Sequence, residues 1–129
     1  MIGLDTTAII DLFKGDESLN KLLRGLEDTF TTSIINYQEI FFGVTNEKDY
    51  IEEVKYYDSF FLNIEILQLN QISARKSSEI YWKLKNKGIE IGKFDCIIAG
   101  IFLTEKVNKI ITKNKKHFEN IKDIEVLSY

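Results

Sequence analysis

Three carboxylates and one amide of this 129-residue chain sit where an α/β protein would place its chemistry. Asp5 directly follows the apolar run Met1–Leu4, and Glu39 falls in the first turns of a helical pattern that follows the β-branched segment Thr29–Thr32. Asp95 opens a strongly apolar helical stretch after Gly92-Lys93-Phe94, and Asn114 follows the apolar run Val107–Thr112. In an open α/β sheet, sites form outside the carboxyl ends of the strands, where the strand order reverses. All four residues would meet on that rim, although more than a hundred positions separate the first from the last. Three like charges within a few ångströms repel unless they are protonated or bridged by a cation. Carboxylates with amide oxygens and water form a hard-oxygen site suited to Mg²⁺ or Mn²⁺ rather than zinc. Such a site polarises a phosphodiester and activates water for in-line attack.

Each acid also has a plainer reading. Asp5 and Asp95 stand where helix N-caps stand, a role worth about 1 kcal/mol each. Glu39 is harder to account for structurally, because it lies between Tyr37 and Ile40–Phe42, where an apolar face is expected. His117 is the sole histidine and reads as a surface or packing residue, since metal-hydroxide chemistry does not require it. Cys96 reads as a small buried filler, and Tyr81 and Trp82 as core or groove-lining rings. Asp11 lies one and a half helical turns from Asp5 and is expected to face elsewhere.

The elements that must position these residues follow from periodicity. Met1–Leu4 reads as a buried strand, and from Thr6 a helix carries Ala8, Ile9, Leu12 and Phe13 on one face until Lys14-Gly15. Asp16 caps a second helix with Leu19, Leu22, Leu23 and Leu26 on one stripe. Thr29–Thr32 is a strand, after which Ser33 or Asn36 caps a helix stopped at Gly43. A helix is predicted from Glu47 to Phe61, a strand over Ile64–Leu69, and a helix from Gln71 to Lys87 closed by Gly88. Phe94 to Glu105 is a buried helix, Val107–Thr112 a strand, and Ile124–Leu127 a short last strand. This alternation predicts one α/β domain over residues 1–129, with a mostly parallel sheet of four to five strands and helices on both faces.

Composition narrows the function classes. Hydrophobic residues make up 44% of the chain and charged residues 29%, a globular balance that argues against disorder. No run approaches the roughly 18 apolar residues of a membrane span, and the first residues lack the basic region of a secretion signal. A lone cysteine excludes an internal disulfide framework, so a cytoplasmic location is expected. Net charge is −3, yet Lys83 to Lys122 holds ten lysines against four acids. That third of the chain could follow a phosphate backbone, or could simply be a solvated surface.

The motifs resemble those of a known family. Ile2-Gly3-Leu4-Asp5-Thr6-Thr7 is similar to the opening of a PIN domain, and Ser33 through Glu39 to Gly43 resembles the second PIN motif. Gly92-Lys93-Phe94-Asp95-Cys96 resembles the third, and Ile111-Thr112-Lys113-Asn114-Lys115-Lys116 the fourth. Four motifs in register, in a chain this small, most resemble VapC-type toxins of toxin–antitoxin pairs. The resemblance implies a three-layer PIN-like fold and a Mg²⁺- or Mn²⁺-dependent endoribonuclease. Asp5, Glu39 and Asp95 would form the metal site, with Thr6 and Thr112 supporting it. Asn114 departs from the acid that many relatives carry, which favours one well-held ion over two. Lys93, Lys113, Lys115 and Lys116 would bind RNA phosphates flanking the cut.

The same resemblance implies an antitoxin partner and a homodimer. Residues Tyr37 to Phe61 hold eight of the sixteen aromatics, and adjacent pairs such as Tyr56-Tyr57 and Phe60-Phe61 cannot all point inward from one helix. Surplus rings read either as a partner surface or as a thick core. Two other functions fit the same motifs: a PIN-fold binding module weakened by Asn114, and an RNA-maturation nuclease without a toxin role. A phosphoaspartyl phosphatase fits less well, because Asp5-Thr6-Thr7 lacks its second aspartate.

Overall fold

The apolar, β-branched segments form five short strands, and every connection between them carries at least one helix. The structure is a computed structural model, and it describes residues 1–45, 48 and 50–129. In chain order the elements are β1 (Ile2–Leu4), α1 (Thr6–Phe13), α2 (Glu17–Arg24), β2 (Phe30–Ser33), α3 (Ile34–Val44) and α4 (Tyr50–Phe61). They continue with β3 (Glu65–Leu67), α5 (Gln71–Asn86), α6 (Lys93–Thr104), β4 (Lys109–Ile111), α7 (Lys115–Phe118) and β5 (Glu125–Leu127). All strand pairs are parallel, in the order β3-β2-β1-β4-β5. The chain builds outward from β1 to β3, then returns to lay β4 on the other edge of β1. The reversal therefore falls between β1 and β4, where ligand crevices open in such sheets.

Strand alternation divides the interior into two layers. Ile2, Leu4 and Ile111 face one side, with Ala8, Ile9, Leu19, Ile40, Val44 and Phe61. Ile110 and Leu67 face the other, with Ile98, Ile101 and Phe102 of α6 and Ile80 and Leu84 of α5. Gly3 points to this second side, and a Cβ there would stand 2.7 Å from the Phe102 ring. The ring thus occupies the space that the missing side chain leaves in the middle strand.

Most predicted elements are present, shortened at their ends, where the ladder or helix hydrogen bonds run out. Asp16 caps α2 by accepting from the Leu19 amide at 2.9 Å. Ser33, not Asn36, caps α3, accepting from the Asn36 amide at 3.2 Å. That helix runs past Gly43 to Val44, because a glycine inside a helix costs only about 1 kcal/mol. The expected start of the next helix at Glu47 lies outside the described residues, and α4 is seen from Tyr50. The single turn α7 had no helical period long enough to predict it. Gly88 ends α5 with φ +75°, a conformation open to glycine at little cost.

The aromatic-rich stretch divides between the two roles. Tyr37, Phe41, Tyr57, Phe60 and Phe61 form a ring cluster with Phe13. Phe42, Tyr50 and Tyr56 are exposed, together with Ile51. Among the described residues, no helix is long and apolar enough to cross a membrane.

Candidate functional site

The segments after β1, β2 and β4 and the N-terminal turn of α6 carry the candidate residues. Asp5 stands at the N-cap position of α1 yet makes no capping hydrogen bond. Its carboxylate is buried and turned sideways: Oδ1 accepts from Asn36 Nδ2 at 2.9 Å, and Oδ2 accepts from Thr112 Oγ1 at 2.7 Å. The capping reading of Asp5 is therefore set aside. Two neighbouring elements hold this carboxylate in one rotamer, which a structural cap would not need.

Glu39 comes from α3, one turn after Asn36, so both project to the same side of the helix. Thr6 Oγ1 donates to Glu39 Oε2 and accepts from Asn36 Nδ2 at 3.0 Å. Asn36 is in turn oriented by Ser33, whose hydroxyl donates to its Oδ1 at 2.6 Å. Ser33, Asn36 and Thr6 thus join Asp5 to Glu39 through a chain of satisfied groups. Among the described residues, no buried side-chain polar atom lacks a partner.

Asp95 lies in the first turn of α6, whose N-cap is Gly92, so it is not itself the cap. A Cβ on Gly92 would stand 3.0 Å from Asp95 Oδ2, and the missing side chain leaves this carboxylate uncovered. His117 approaches from α7, with Nδ1 at 3.3 Å from Asp95 Oδ2. Burial first, and then the neighbouring Asp5, raise the Asp95 pKa, while His117 pulls against that rise. Burial likewise raises the Glu39 pKa, with the charges of Asp5 and Asp95 adding to it against the Thr6 hydrogen bond. Three carboxylates from three elements therefore share one electrostatic environment that disfavours their combined charge.

Thr112, at the end of β4, serves both Asp5 and the following turn, accepting from the Asn114 amide at 3.0 Å. Asn114 is exposed, makes no side-chain cap to α7, and engages the network through its backbone. Lys93, Lys115 and Lys116 are exposed around the rim. Lys113 is exposed too, but its ammonium pairs with Asp11 Oδ2 at 3.2 Å, and its amide donates to Thr7 Oγ1 at 3.1 Å. The same Asp11 oxygen accepts from Tyr129 Oη at 2.8 Å. Asp11 lies outside the carboxylate cluster, as its place on the helix implied, but it anchors the turn that carries Asn114. Cys96 is buried, and burial with the nearby Asp95 pushes its thiol up to about 11, so it is a filler and not a nucleophile.

Asn36, Thr7, Tyr129 and the contact of His117 with Asp95 were not evident from the sequence. The Asn36–Glu39 spacing of three on one helix was the available sign for the first. The others depend on how β4, α7 and the last strand return to α1.

The donors are of the kind that a hard divalent cation takes: three carboxylates, with hydroxyls orienting them. As placed, no group of three His, Cys, Asp or Glu side chains among the described residues closes around one point. The set is an open rim with carboxylates on its walls.

A five-stranded parallel sheet with helices on both faces and acidic residues at its switch point defines the class. The chain matches the PIN domain family over residues 2–124 and belongs to it. Over 135 aligned residues it is 32% identical to Ribonuclease VapC1 of Methanocaldococcus jannaschii, spanning 99% of this chain and 86% of that protein. Its fold superposes on VapBC2 from Rickettsia felis, bound to a DNA fragment from its promoter, with a TM-score of 0.87. Identity there is 26%, covering all of this chain and 99% of the other. VapBC-1 from nontypeable Haemophilus influenzae superposes with a TM-score of 0.85 at 26% identity, over 99% and 98% of the two chains.

Proposed function

We propose that this protein is a divalent-cation-dependent endoribonuclease of VapC type, the toxin of a toxin–antitoxin pair. The observation that carries the reading is the rim of Asp5, Glu39 and Asp95. Glu39 and Asp95 are raised in pKa by burial and by the charge of Asp5, Glu39 also by that of Asp95, and a bound cation would relieve that strain. The similarity to a ribonuclease and to complexes of toxin with antitoxin supports the RNA substrate and the protein partner.

Asp5, Glu39 and Asp95 would hold Mg²⁺ or Mn²⁺. Such an ion, when bound, withdraws charge from a phosphodiester and makes water a better nucleophile at neutral pH. The chain's own groups prepare the site before substrate arrives. Asn36 and Thr112 fix both oxygens of Asp5, and Thr6 fixes one oxygen of Glu39, so little reorganisation is left to the reaction. Glu39, held at the rim by Thr6, would contact the ion or its water. The missing side chain at Gly92 keeps Asp95 open to the cleft, and the exposed lysines at 93, 115 and 116 attract flanking phosphates. Asn114 supplies no charge, which supports a single resident ion.

The exposed rings Phe42, Tyr50 and Tyr56 with Ile51 support docking of a protein partner, the antitoxin, on the α3–α4 side. A homodimer in the cytoplasm completes the reading.

The test is cleavage of a mixed tRNA and rRNA pool with Mg²⁺ or Mn²⁺ by wild type and Asp95→Asn, with an EDTA control. Discrete fragments from wild type that vanish in both controls are expected. Equal fragments from the variant would overturn the assignment of Asp95. Failure of wild type both to cleave and to bind Mn²⁺ would favour a PIN-fold binding module.

A further inference from the structure

The carboxylate rim continues into a cleft of about 830 Å³, within the roughly 300–1,000 Å³ typical of ligand sites. Its walls include Asp95, His117, Lys116, Glu90, Tyr81 and Lys85. Tyr81 also borders a smaller hollow of about 280 Å³ that Trp82 and Lys93 share. The ring is thus a ridge between the two concavities, with a lysine on each side.

Those lysines are held in an uncommon way. Lys85 Nζ lies 5.4 Å from the Tyr81 ring centroid and 5.2 Å from that of Trp82, and it donates to Tyr81 Oη at 3.3 Å. Lys93 Nζ lies 5.7 Å from the Tyr81 centroid. All three distances are within the reach of a cation–π attraction, which orients an ammonium without neutralising it. Lys113, Lys109 and Lys55 each face a carboxylate within 4.0 Å, but among the described residues Lys85, Lys93 and Lys116 do not. Two positive charges are therefore placed by ring faces without a carboxylate partner, Lys85 in the cleft that Asp95 lines and Lys93 in the hollow on the other side of Tyr81.

We propose that Tyr81, Lys85 and Lys93 form a phosphate-binding subsite for single-stranded RNA beside the carboxylate rim, with Tyr81 as the positioning residue. This rests on the ribonuclease reading above and adds where the strand runs: through the cleft that Asp95, Lys116 and Lys85 line, and across Tyr81 to Lys93. An anion is the ligand that this charge arrangement fits, and a strand backbone is the one that spans both concavities on either side of Tyr81. Ring-held lysines cost less side-chain entropy on binding than free surface lysines, because their rotamers are already restricted.

The experiment measures binding of a short mixed-sequence single-stranded RNA by fluorescence anisotropy in EDTA between 50 and 200 mM salt, alongside the cleavage assay with metal. Each lysine lost should flatten the plot of log K against log salt by about 0.7, so Lys85→Ala with Lys93→Ala should flatten it by about 1.4. Affinity at low salt should fall about tenfold or more, and KM should rise with kcat little changed. Lys21→Ala, an exposed lysine of α2, should change neither. Tyr81→Leu should lower the low-salt affinity and raise KM while keeping most of the salt slope, because both ammoniums remain, whereas Tyr81→Phe, which keeps the ring, should retain most of the affinity. Thermal melts of each variant separate loss of fold from loss of binding.

A double variant with the wild-type salt slope would overturn the subsite while wild-type cleavage left the nuclease reading standing. An unchanged slope with loss of antitoxin binding would assign the cleft to an acidic protein segment instead, and also overturn it. Wild-type protein that neither binds nor cleaves RNA would remove the ribonuclease reading and the subsite together.

Discussion

Asn36 makes three side-chain hydrogen bonds in a fully buried position, and two of them set the geometry of the acidic rim. It donates to Asp5 Oδ1 and Thr6 Oγ1 while accepting from Ser33, so its removal leaves a buried carboxylate short of a donor. Loss of a buried partner costs about 1–3 kcal/mol, and loss of a group that orients metal-site carboxylates typically costs about 10–100-fold in activity or metal affinity. Asn36→Ala is expected to lower both Tm and cleavage rate by these amounts, measured by thermal melting and single-turnover kinetics. An unchanged rate in a stably folded variant would show that Asp5 does not depend on Asn36 for its orientation.

At the scale of elements, Asp11 joins α1 to the turn after β4 and to Tyr129 beyond β5. Burial alone would raise its pKa, but the hydrogen bonds from Tyr129 and Lys113 and the nearby lysine charges outweigh burial and lower it. The Tyr129 phenol is pushed up by its burial and by Asp11, so it stays a donor at neutral pH. An acid with a lowered folded-state pKa adds stability above its ordinary value of 3.8 and loses it as pH falls through the folded value. Wild type should therefore exceed Asp11→Asn in Tm at pH 7, with the gap closing in acid. Tyr129→Phe should lose about 1.5–3 kcal/mol at neutral pH, measurable by urea unfolding. A second element pair depends on close approach. A Cβ on Gly100 would lie 2.7 Å from the Ser73 carbonyl and 2.9 Å from Ser77, so Gly100→Ala should push α6 from α5 and cost about 1–3 kcal/mol.

For the whole molecule, the carboxylate rim is a cost of folding that a bound cation, in the proposed reading, would offset. Glu39 and Asp95 bind protons more tightly folded than unfolded, because folding buries them and gathers the three charges. Their contribution to stability is fully present below their ordinary values of 4.5 and 3.8 and is lost as pH rises through the higher folded values. In EDTA, Glu39→Gln and Asp95→Asn should thus melt above wild type at pH 7, with no such gain at pH 4 or below. Added Mn²⁺ should raise the wild-type Tm at pH 7 and raise the Asp95→Asn value less. A variant without any gain at neutral pH would show that folding does not raise the proton affinity of that carboxylate.

The alternation of apolar strands with helical periods was local, so the sequence alone determined the α/β class, the parallel sheet and nearly every element. Asp5, Glu39 and Asp95 were legible for the same reason: each follows a strand or opens a helix, and parallel strands bring such positions to one rim. Asp16 was legible as a cap because capping needs only three residues of chain. Tertiary structure decided what lay across chain returns. It turned Asp5 away from capping α1, and set Asn36 between Asp5 and Thr6. It drew His117 to Asp95 and Lys113 to Asp11, and placed Tyr81 between two lysines. Period and propensity describe a segment's own backbone, while a side chain's partner is chosen by strand order and packing. Those pairings become visible only when β4 has come back beside β1.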